Sequence, residues 1–525
     1  MYRRVPSDSR FPGVVGSLTE TEGNQWREDM ENWANGFTPS GVFVSQNDYI
    51  ISMATDGGVD YFCASNAYQP VYGGFTTANH HIGGVDGASL GAVLQAALTN
   101  VTNGGTVYLK GVVGDATDLV ISNSKTSLIG DGVSELRIPV GRVTPTAQLS
   151  VAADVTDVVV KGIRFYGRRE INFDGLWSEV DVPANPQVAF MLLGSNLNIT
   201  VENCAFLNQL YEAIWVPYYV TIAAHKTLNF NNNYIYDCGY GITIEKADNV
   251  LINNNFLYGC KTWGISLNYN VINNVIIAHN LIDGTSTYYA GSATAGIQSG
   301  GSTTTTNVSA DDNTIASCAY ALNIAASKIV NNSINLAGYA IQVSAESTLV
   351  SGNSIKNTGS NAINILAGQN HKIVNNTIDD CCLDQVEADT YGAINTSPGA
   401  GVGDYSLIAG NILKQTTDGV ARYGIWTATN SIVTDNTVLG NFLIPMLLDA
   451  SATVHHNVGY VTESKGVSVG TGSQQTIAHG LVALPFRINI VPIATGISIT
   501  NVYADATNIY CTVANGADYN WSAQV

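Results

Sequence analysis

The sequence predicts an all-β protein whose main body is a parallel β-helix, in which each repeat of the chain forms one coil of a solenoid. Two patterns predict this class. A short apolar segment containing Asn recurs between residues 200 and 460, at intervals that cluster near 22 residues. An aromatic, a small and an aliphatic residue follow about nine residues after several of these Asn residues. The strand-like segments are short and lack a 3.6-residue period, and such repeats must stack to bury their apolar side.

The recurring Asn residues are predicted to form a structural column, because the coils of a β-helix stack about 4.8 Å apart. Asn side chains at one bend can hydrogen-bond along the stack, amide to amide, and Asn tolerates a left-handed backbone conformation. A polar binding stripe is the alternative interpretation. The positions are Asn203, Asn233, Asn255, Asn280, Asn313, Asn332, Asn353, Asn376, Asn411, Asn436 and Asn457.

Four cysteines lie five residues after the Asn of their repeat and predict a second, buried column. Other repeats carry Ala or Thr at this position, and a free Cys packs there as a small hydrophobe. A disulfide between Cys238 and Cys260 is the alternative. The four residues are Cys238, Cys260, Cys318 and Cys381.

The segments before and after the repeat differ from it in pattern. Residues 1–35 are polar and Glu-rich and predict an N-terminal arm, and residues 36–82 hold strand-like pieces that predict a small β module. The solenoid is predicted to span residues 83–462, opened by an amphipathic capping helix over residues 85–98 that covers exposed strand edges. Residues 463–525 hold four or five strand-like segments separated by turns, and we expect a C-terminal β-sandwich there.

Composition and charge narrow the choice of partners. The 525 residues include 22 Lys and Arg against 41 Asp and Glu, a net charge of −19. Binding to nucleic acid or an anionic membrane requires clustered cations, so neither partner is expected. We also expect no membrane insertion, because no apolar run reaches the ~18–20 residues that span a bilayer. No apolar stretch follows Arg3 and Arg4, so the sequence as given predicts no secretory signal.

Three motifs at the start of the solenoid resemble a known superfamily. Residues 95–98 read QAAL, residues 104–108 read GGTVY and residues 128–132 read LIGDG. They resemble the opening of right-handed parallel β-helix proteins, which include pectate-lyase-like proteins and viral tailspikes. The family often has Pro at the end of the first strand, where this chain has Lys110 followed by Gly. The resemblance covers about residues 83–460.

The resemblance implies a right-handed solenoid and a homotrimer. Residues 463–525 resemble the terminal modules of tail-fibre-like proteins from viruses of bacteria and archaea. Together these likenesses imply a location on a virion surface or outside the cell, with other virion proteins as further partners.

A row of uncharged polar and aromatic residues is predicted to point outward from one sheet. Each member directly follows the aliphatic residue taken as inward, and side chains alternate along a strand. Amides, hydroxyls and aromatic faces suit sugars, although a solvated polar face is the alternative. The row is Trp215, Thr243, Ser266, Gln298, Asn323, Gln342, Asn364, Asn395 and Trp426. As ligand-binding candidates we take Trp215, Gln298, Asn323, Gln342, Asn364 and Trp426.

Acidic residues supply the candidates for catalysis, because glycan hydrolysis uses two carboxyl groups. Glu212 replaces the aromatic residue of its repeat, and Glu245 is expected near it on the next coil. Asp380 and Asp384 form a second candidate pair. The insertion 170–186 is also acidic. A solvated loop or turn is the alternative for each group.

The late acidic segment could also hold Ca²⁺, which binds carboxylate oxygens. Its candidate ligands are Asp379, Asp384, Glu387 and Asp389. No other cofactor is expected from the sequence.

Three functional hypotheses follow. The first is a spike-like or fibre-like protein on a virion surface or outside the cell that attaches to a host or environmental glycan. The second is a secreted polysaccharide lyase or glycoside hydrolase, so the sequence leaves open whether the protein is an enzyme. The third is a structural surface protein without a ligand.

Overall fold

The structure is a computed structural model that describes most of the solenoid and the C-terminal region. The described residues are 49–56, 59–66, 90–101, 104–109, 111–114, 116, 118–138, 146–167, 187–218, 225–268, 271–284, 295–300, 305–384, 391–396, 402–417, 421–460, 463–481, 485 and 487–524. The predicted arm over residues 1–35 and the acidic insertion 170–186 lie outside them. No helix in these ranges is long and apolar enough to cross a membrane.

The chain divides into two compact units, residues 1–342 and 343–525. In the first unit the chain visits three parallel sheets, A, B and C, once per coil, which confirms the predicted parallel β-helix. Sheet A contains Tyr49–Asp56, Val59–Asn66, Gly105–Leu109, Thr126–Gly130, Thr156–Lys161, Leu197–Glu202, His225–Asn231, Ala247–Asn253, Ile272–Ala278, Thr305–Asp311 and Lys328–Val330. Sheet B contains Val112–Val113, Glu135–Arg137, Arg164–Tyr166, Ala205–Leu207, Tyr234–Tyr236, Phe256–Tyr258, Leu281–Asp283, Thr314–Ala316 and Ser333–Asn335. Sheet C contains Leu119–Ile121, Thr146–Val151, Gln187–Leu192, Glu212–Val216, Tyr240–Ile244, Trp263–Asn268, Ala295–Gly300, Tyr320–Ile324 and Tyr339–Val343.

The second unit continues the same order of strands. Its sheet A strands are Leu349–Ser351, Lys372–Val374, Leu407–Ala409, Ile432–Thr434 and Thr453–His455. Its sheet B strands are Ser354–Lys356, Thr377–Asp379, Ile412–Gln415 and Thr437–Gly440, and its sheet C strands are Ile363–Ile365, Gly392–Asn395, Tyr423–Trp426 and Ile444–Leu447.

Aliphatic residues at equal positions of successive coils build the core. On sheet A of the first unit, Ile199 pairs with Leu228, Leu228 with Val250 and Val250 with Val275. None of these four side chains is more than 2% exposed. Burial of one such side chain contributes roughly 1.5–3 kcal/mol, and each coil buries its neighbour's apolar side, so stacking stabilises the repeat as a whole.

One helix, α1, spans Leu90–Asn100. Leu94, Ala97 and Leu98 are fully buried on its inner side. The Gln95 amide bonds both backbone groups of Val120, accepting from its N–H at 2.7 Å and donating to its carbonyl at 3.0 Å. The helix therefore docks beside the first strand of sheet C, while residues 85–89 of the predicted helix lie outside the described residues.

The described part of the predicted N-terminal β module joins sheet A. Tyr49–Asp56 pairs antiparallel with Val59–Asn66. Residues 49–51 also pair in parallel with residues 107–109, at the start of the solenoid. This hairpin therefore extends a solenoid sheet instead of forming a sheet of its own.

The Asn column is a buried hydrogen-bonded ladder in both units. The Asn255 side chain donates to Asn280 Oδ1 at 3.0 Å, and the Asn255 backbone N–H donates to the same oxygen at 3.0 Å. The same two bonds join Asn376 to Asn411. Each ladder Asn thus satisfies the amide of its neighbour at a bend where the backbone lacks a strand partner.

The predicted ladder position in the first of these coils is wrong by one residue. Cys204, not Asn203, occupies it, because the Cys204 N–H donates to Asn233 Oδ1 at 3.1 Å. Asn203 instead has φ 54° and matches Asn232, at φ 55°, in the next coil. The left-handed residue therefore precedes the ladder residue, and at this bend the single Asn occupies the left-handed position while Cys204 occupies the ladder position.

The predicted cysteine column is confirmed as buried thiols. Cys238, Cys260, Cys318 and Cys381 form no disulfide and are no more than 3% exposed. Burial raises the pKa of Cys318 to about 12, so its thiol stays protonated. The alternative disulfide between Cys238 and Cys260 is not formed.

The described residues between 463 and 524 form two antiparallel sheets. The sheet named D has Asp518–Gln524 between Glu463–Val469 and Arg487–Pro492. The sheet named E has Asn508–Val513 between Gln474–Ala478 and Ile499–Ala504. A separate apolar core lies within this region, formed by Leu481, Ile509, Cys511, Val513, Tyr519, Trp521 and Ala523.

Candidate functional site

The uncharged row occupies one register position of sheet C. In the first unit, Trp215 pairs with Thr243, Thr243 with Ser266 and Ser266 with Gln298. Gln298 in turn pairs with Asn323. In the second unit the same position carries Asn364, Asn395 and Trp426. The side chains therefore lie in line along each unit.

Exposure divides the row into two classes. Trp215, Gln298, Asn323 and Trp426 are half-buried and can reach a ligand. The expectation of exposed side chains is wrong for Thr243, Ser266, Gln342, Asn364 and Asn395, which are no more than 7% exposed. Alternation along a strand predicts the face on which a side chain lies, but neighbouring residues decide how much of it meets solvent.

Glu245 holds Trp215 in place. Its Oε1 accepts a hydrogen bond from the Trp215 indole N–H at 3.1 Å. Its Oε2 accepts one from the backbone N–H of Tyr218 at 2.6 Å. Burial raises the pKa of Glu245, although these two hydrogen bonds act in the opposite direction. One carboxylate thus fixes both the Trp215 ring and the chain that leaves its strand.

Glu212 is a buried acid on the same strand as Trp215. It is 9% exposed, and its Oε2 has no hydrogen-bond partner among the described residues. Burial raises the pKa of Glu212 to about 8, and the charge of Glu245 adds to that increase. Glu212 is therefore protonated at neutral pH and can donate a proton.

Aromatic rings continue from Glu212 along its register position. Glu212 pairs with Tyr240, and Tyr240 pairs with Trp263. The Tyr240 ring lies 5.0 Å from the Trp263 ring and 5.8 Å from the Tyr211 ring, measured between centroids. These rings are half-buried, and the register position of Tyr240 and Trp263 lies three residues before that of the uncharged row.

Sequence reasoning missed three residues around this pair of acids. Tyr218 carries the backbone N–H that Glu245 binds, and the Lys246 ammonium lies 5.6 Å from the centre of the Tyr218 ring. His225 is fully buried, and burial lowers its pKa to about 4, so it is neutral. Tyr218 and Lys246 each lie two residues after a strand that carries a predicted site residue, and this position could have indicated them in the sequence. No sequence pattern indicates a role for His225.

The structure assigns Asp380 to a bend. Its carboxylate accepts hydrogen bonds from the Thr416 N–H and hydroxyl, both at 2.6 Å, and from the Thr417 N–H at 3.3 Å. Burial acts to raise the pKa of Asp380, but these hydrogen bonds outweigh it and leave the pKa below its usual value. Asp384 is exposed, and its backbone N–H donates a hydrogen bond to the Gly359 carbonyl. Neither residue has the environment of Glu212.

The candidate Ca²⁺ ligands fall partly outside the described residues. Asp379 is half-buried on sheet B and pairs with Lys414. Glu387 and Asp389 lie in the undescribed segment 385–390. Within the described ranges, no three His, Cys, Asp or Glu side chains come together to hold a metal ion. The Ca²⁺ site stays a prediction.

The protonation of Glu212 gives a pH-dependent stability. The unfolded chain loses this proton near pH 4.5, whereas the folded chain keeps it to about pH 8. The stabilisation that protonated Glu212 contributes is therefore complete below its pKa in the unfolded chain. It is lost as the pH rises through its pKa in the folded chain. We expect the free energy of unfolding to fall by a few kcal/mol, at about 1.4 kcal/mol per pKa unit.

Urea unfolding from about pH 6.5 to pH 9 measures this slope, because buried His225 changes stability in the opposite direction only below the ordinary His pKa of 6.5. Glu212→Gln should remove most of it, because Gln cannot ionise. Glu346→Gln, at an exposed position, is the control and should leave the slope as it is. The same slope in Glu212→Gln would contradict a buried, protonated Glu212.

Comparison with known families agrees with the architecture. A family model described as "Right handed beta helix region" matches residues 178–328. This match agrees with the parallel β-helix fold of the three sheets and with the right-handed solenoid that the sequence motifs predicted. No curated protein matches the sequence.

Several solved structures are similar in fold. The A-module of mannuronan C-5 epimerase AlgE4 from Azotobacter vinelandii is 15% identical, over 70% of this chain and 96% of its own, with a TM-score of 0.45. A tailspike protein of E. coli bacteriophage HK620, solved with a hexasaccharide, is 13% identical over 83% and 90%, with a TM-score of 0.43. Tailspike protein 3 of bacteriophage CBA120 is 12% identical over 71% and 60%, with a TM-score of 0.48. At these identities the likeness concerns the fold alone.

Proposed function

We propose that the protein binds an uncharged glycan on sheet C, at the surface centred on Trp215. One observation carries the proposal: the half-exposed Trp215 ring is fixed by Glu245, in a row whose half-buried amides are Gln298 and Asn323. An aromatic face supplies apolar contact for a sugar ring, and a few placed polar groups supply orientation. A ring fixed beforehand also loses little entropy on binding.

Charge favours a neutral glycan over an acidic one. The row from Trp215 to Asn323 contains no cation, and the adjacent acids are Glu212 and Glu245. The net charge of −19 repels a polyanion over distances up to the Debye length. The row itself therefore offers a uronate-rich polymer no cation, and Lys246, the cation beside the site, lies over the Tyr218 ring.

We assign this binding to a spike-like or fibre-like protein on a virion surface or outside a cell, where it attaches to host or environmental glycans. Glycan arrays probed with the full chain test the proposal directly. Binding to neutral oligosaccharides that falls in Glu245→Ala supports it, because the Ala variant releases the Trp215 ring. No binding to any glycan, with ordered assembly retained, would favour a purely structural protein instead.

A second candidate function is glycan hydrolysis, favoured by the state of Glu212. A protonated buried carboxyl beside another carboxyl is the arrangement of a general acid and its partner. Released reducing ends, measured with oligosaccharides that the chain binds, would detect it. Glu212→Gln should then lower the rate at least about 100-fold while binding persists.

The absorbance of an unsaturated product would indicate a lyase. If the unmodified chain releases no product from any bound glycan, the enzymatic function is refuted and glycan binding alone remains.

A further inference from the structure

The outer face of sheet D, here called the terminal face, exposes an apolar patch. Val467 is 66% exposed, Val469 52%, Val491 46% and Ile493 57%. Val467 and Val491 flank Asn520, with which both pair in register. Contiguous exposed aliphatic side chains of this kind mark an interaction surface.

A shallow depression lies in the middle of this face. Its volume is about 410 Å³, and its lining includes Lys465, Val467, Asn489, Val491 and Asn520. Lys465 and Asn489 pair with the same residue of the central strand, Ser522. The floor is therefore apolar at one end and polar at the other.

Charged residues of opposite sign occupy equivalent positions on the two outer strands. Glu463 and Arg487 both pair with Gln524 of the central strand and are both exposed. In the same way, Val467 matches Val491 across the central strand. The two outer strands thus carry opposite charges at one register position and the same type of aliphatic side chain at another.

We propose that the terminal face binds a second copy of this chain, related by a two-fold axis along the central strand Asp518–Gln524. Such an axis exchanges the outer strands. Glu463 of one copy then faces Arg487 of the other, and Val467 faces Val491. This match of the outer strands is what a two-fold dimer requires, and the same axis places the exposed Asp518 of the central strand opposite its own copy.

The second copy is favoured over an unrelated partner by this match of charges and aliphatic side chains. The core of the terminal region is also small, and a small domain buries a limited share of its surface alone. Packing two such sheets face to face would cover the exposed valines at a sheet spacing of about 10 Å. The inference does not depend on glycan binding.

Sedimentation of the full chain tests the proposal. We expect twice the monomer mass of 55.5 kDa. The double variant Val467→Lys, Val491→Lys should dissociate at least about 100-fold more readily, because it places four cations in the interface. Val502→Lys on sheet E, at a position 44% exposed, is the matched control and should leave the mass unchanged.

A charge exchange identifies the partner as a second copy. Glu463→Arg or Arg487→Glu alone should weaken association about 5-fold, since each places like charges opposite one another. The two changes together should restore it, and circular dichroism checks that every variant is folded.

A monomer, a strict trimer as the family resemblance implies, or a dimer unaffected by the lysines would overturn the proposal. Failure of the paired charge exchange to restore association would overturn it as well.

Discussion

Replacing Asn376 with alanine is expected to lower the free energy of unfolding by about 3 kcal/mol. The Asn376 amide donates to the Val350 carbonyl at 3.0 Å and to Asn411 Oδ1 at 2.9 Å. Its oxygen accepts from the Asn353 backbone N–H at 3.0 Å and from the Asn353 side chain at 2.9 Å. Asn376 is fully buried, so alanine would leave several buried polar groups without partners.

The neighbouring residue supplies the control for this prediction. Asn375 has φ 57° and is exposed, and the equivalent residue of the next coil is Gly410 at φ 65°. Asn375→Gly should change stability by less than about 1 kcal/mol, because glycine adopts this conformation readily. Urea unfolding followed by circular dichroism compares the two variants. Equal losses of unfolding free energy in Asn376→Ala and Asn375→Gly would contradict a structural ladder at Asn376.

Replacing Trp215 with alanine is expected to weaken glycan affinity about 30-fold or more. Aromatic residues at the centre of a binding surface commonly contribute about 2 kcal/mol or more, which corresponds to this change in Kd. The ring is half-exposed, so its loss should leave the fold intact. Calorimetric titration with an oligosaccharide selected from the array measures Kd for both chains.

The control removes an exposed aromatic ring elsewhere. Tyr503 is 50% exposed on sheet E, where its ring lies 4.8 Å from that of Tyr510. Tyr503→Ala should leave the affinity for the glycan unchanged. An undiminished affinity in Trp215→Ala, or an equal loss in Tyr503→Ala, would contradict the placement of the site at Trp215.

The architecture could be predicted from the sequence because every coil stacks on the next in the same way, so the same sequence pattern recurs in each coil. The interval between Asn residues sets the length of a coil, and alternation sets which side chains face the core. Both rules place Thr243 beside Ser266, as the structure does. The rules failed at Asn203, because Asn occurs at both the left-handed and the ladder positions, and the single Asn of that bend occupies the left-handed one.

The candidate site could be predicted only in part, because its contacts depend on the reach of side chains. Glu245 was expected near Glu212, but its hydrogen bond to Trp215, 30 residues away along the chain, follows from the geometry of two coils. The pKa of Glu212 is raised and that of Asp380 is lowered, because burial dominates at Glu212 and hydrogen bonds dominate at Asp380. The sequence contains neither the burial of Glu212 nor the hydrogen bonds that Asp380 accepts.

A crystal structure of the full chain with an array-selected neutral oligosaccharide tests the central claim most directly. The account predicts a sugar ring against the face of Trp215, with polar contacts to neighbouring side chains of sheet C and the Glu245 hydrogen bond retained. A bound oligosaccharide found only elsewhere on the chain, with Trp215 uncovered, would contradict it.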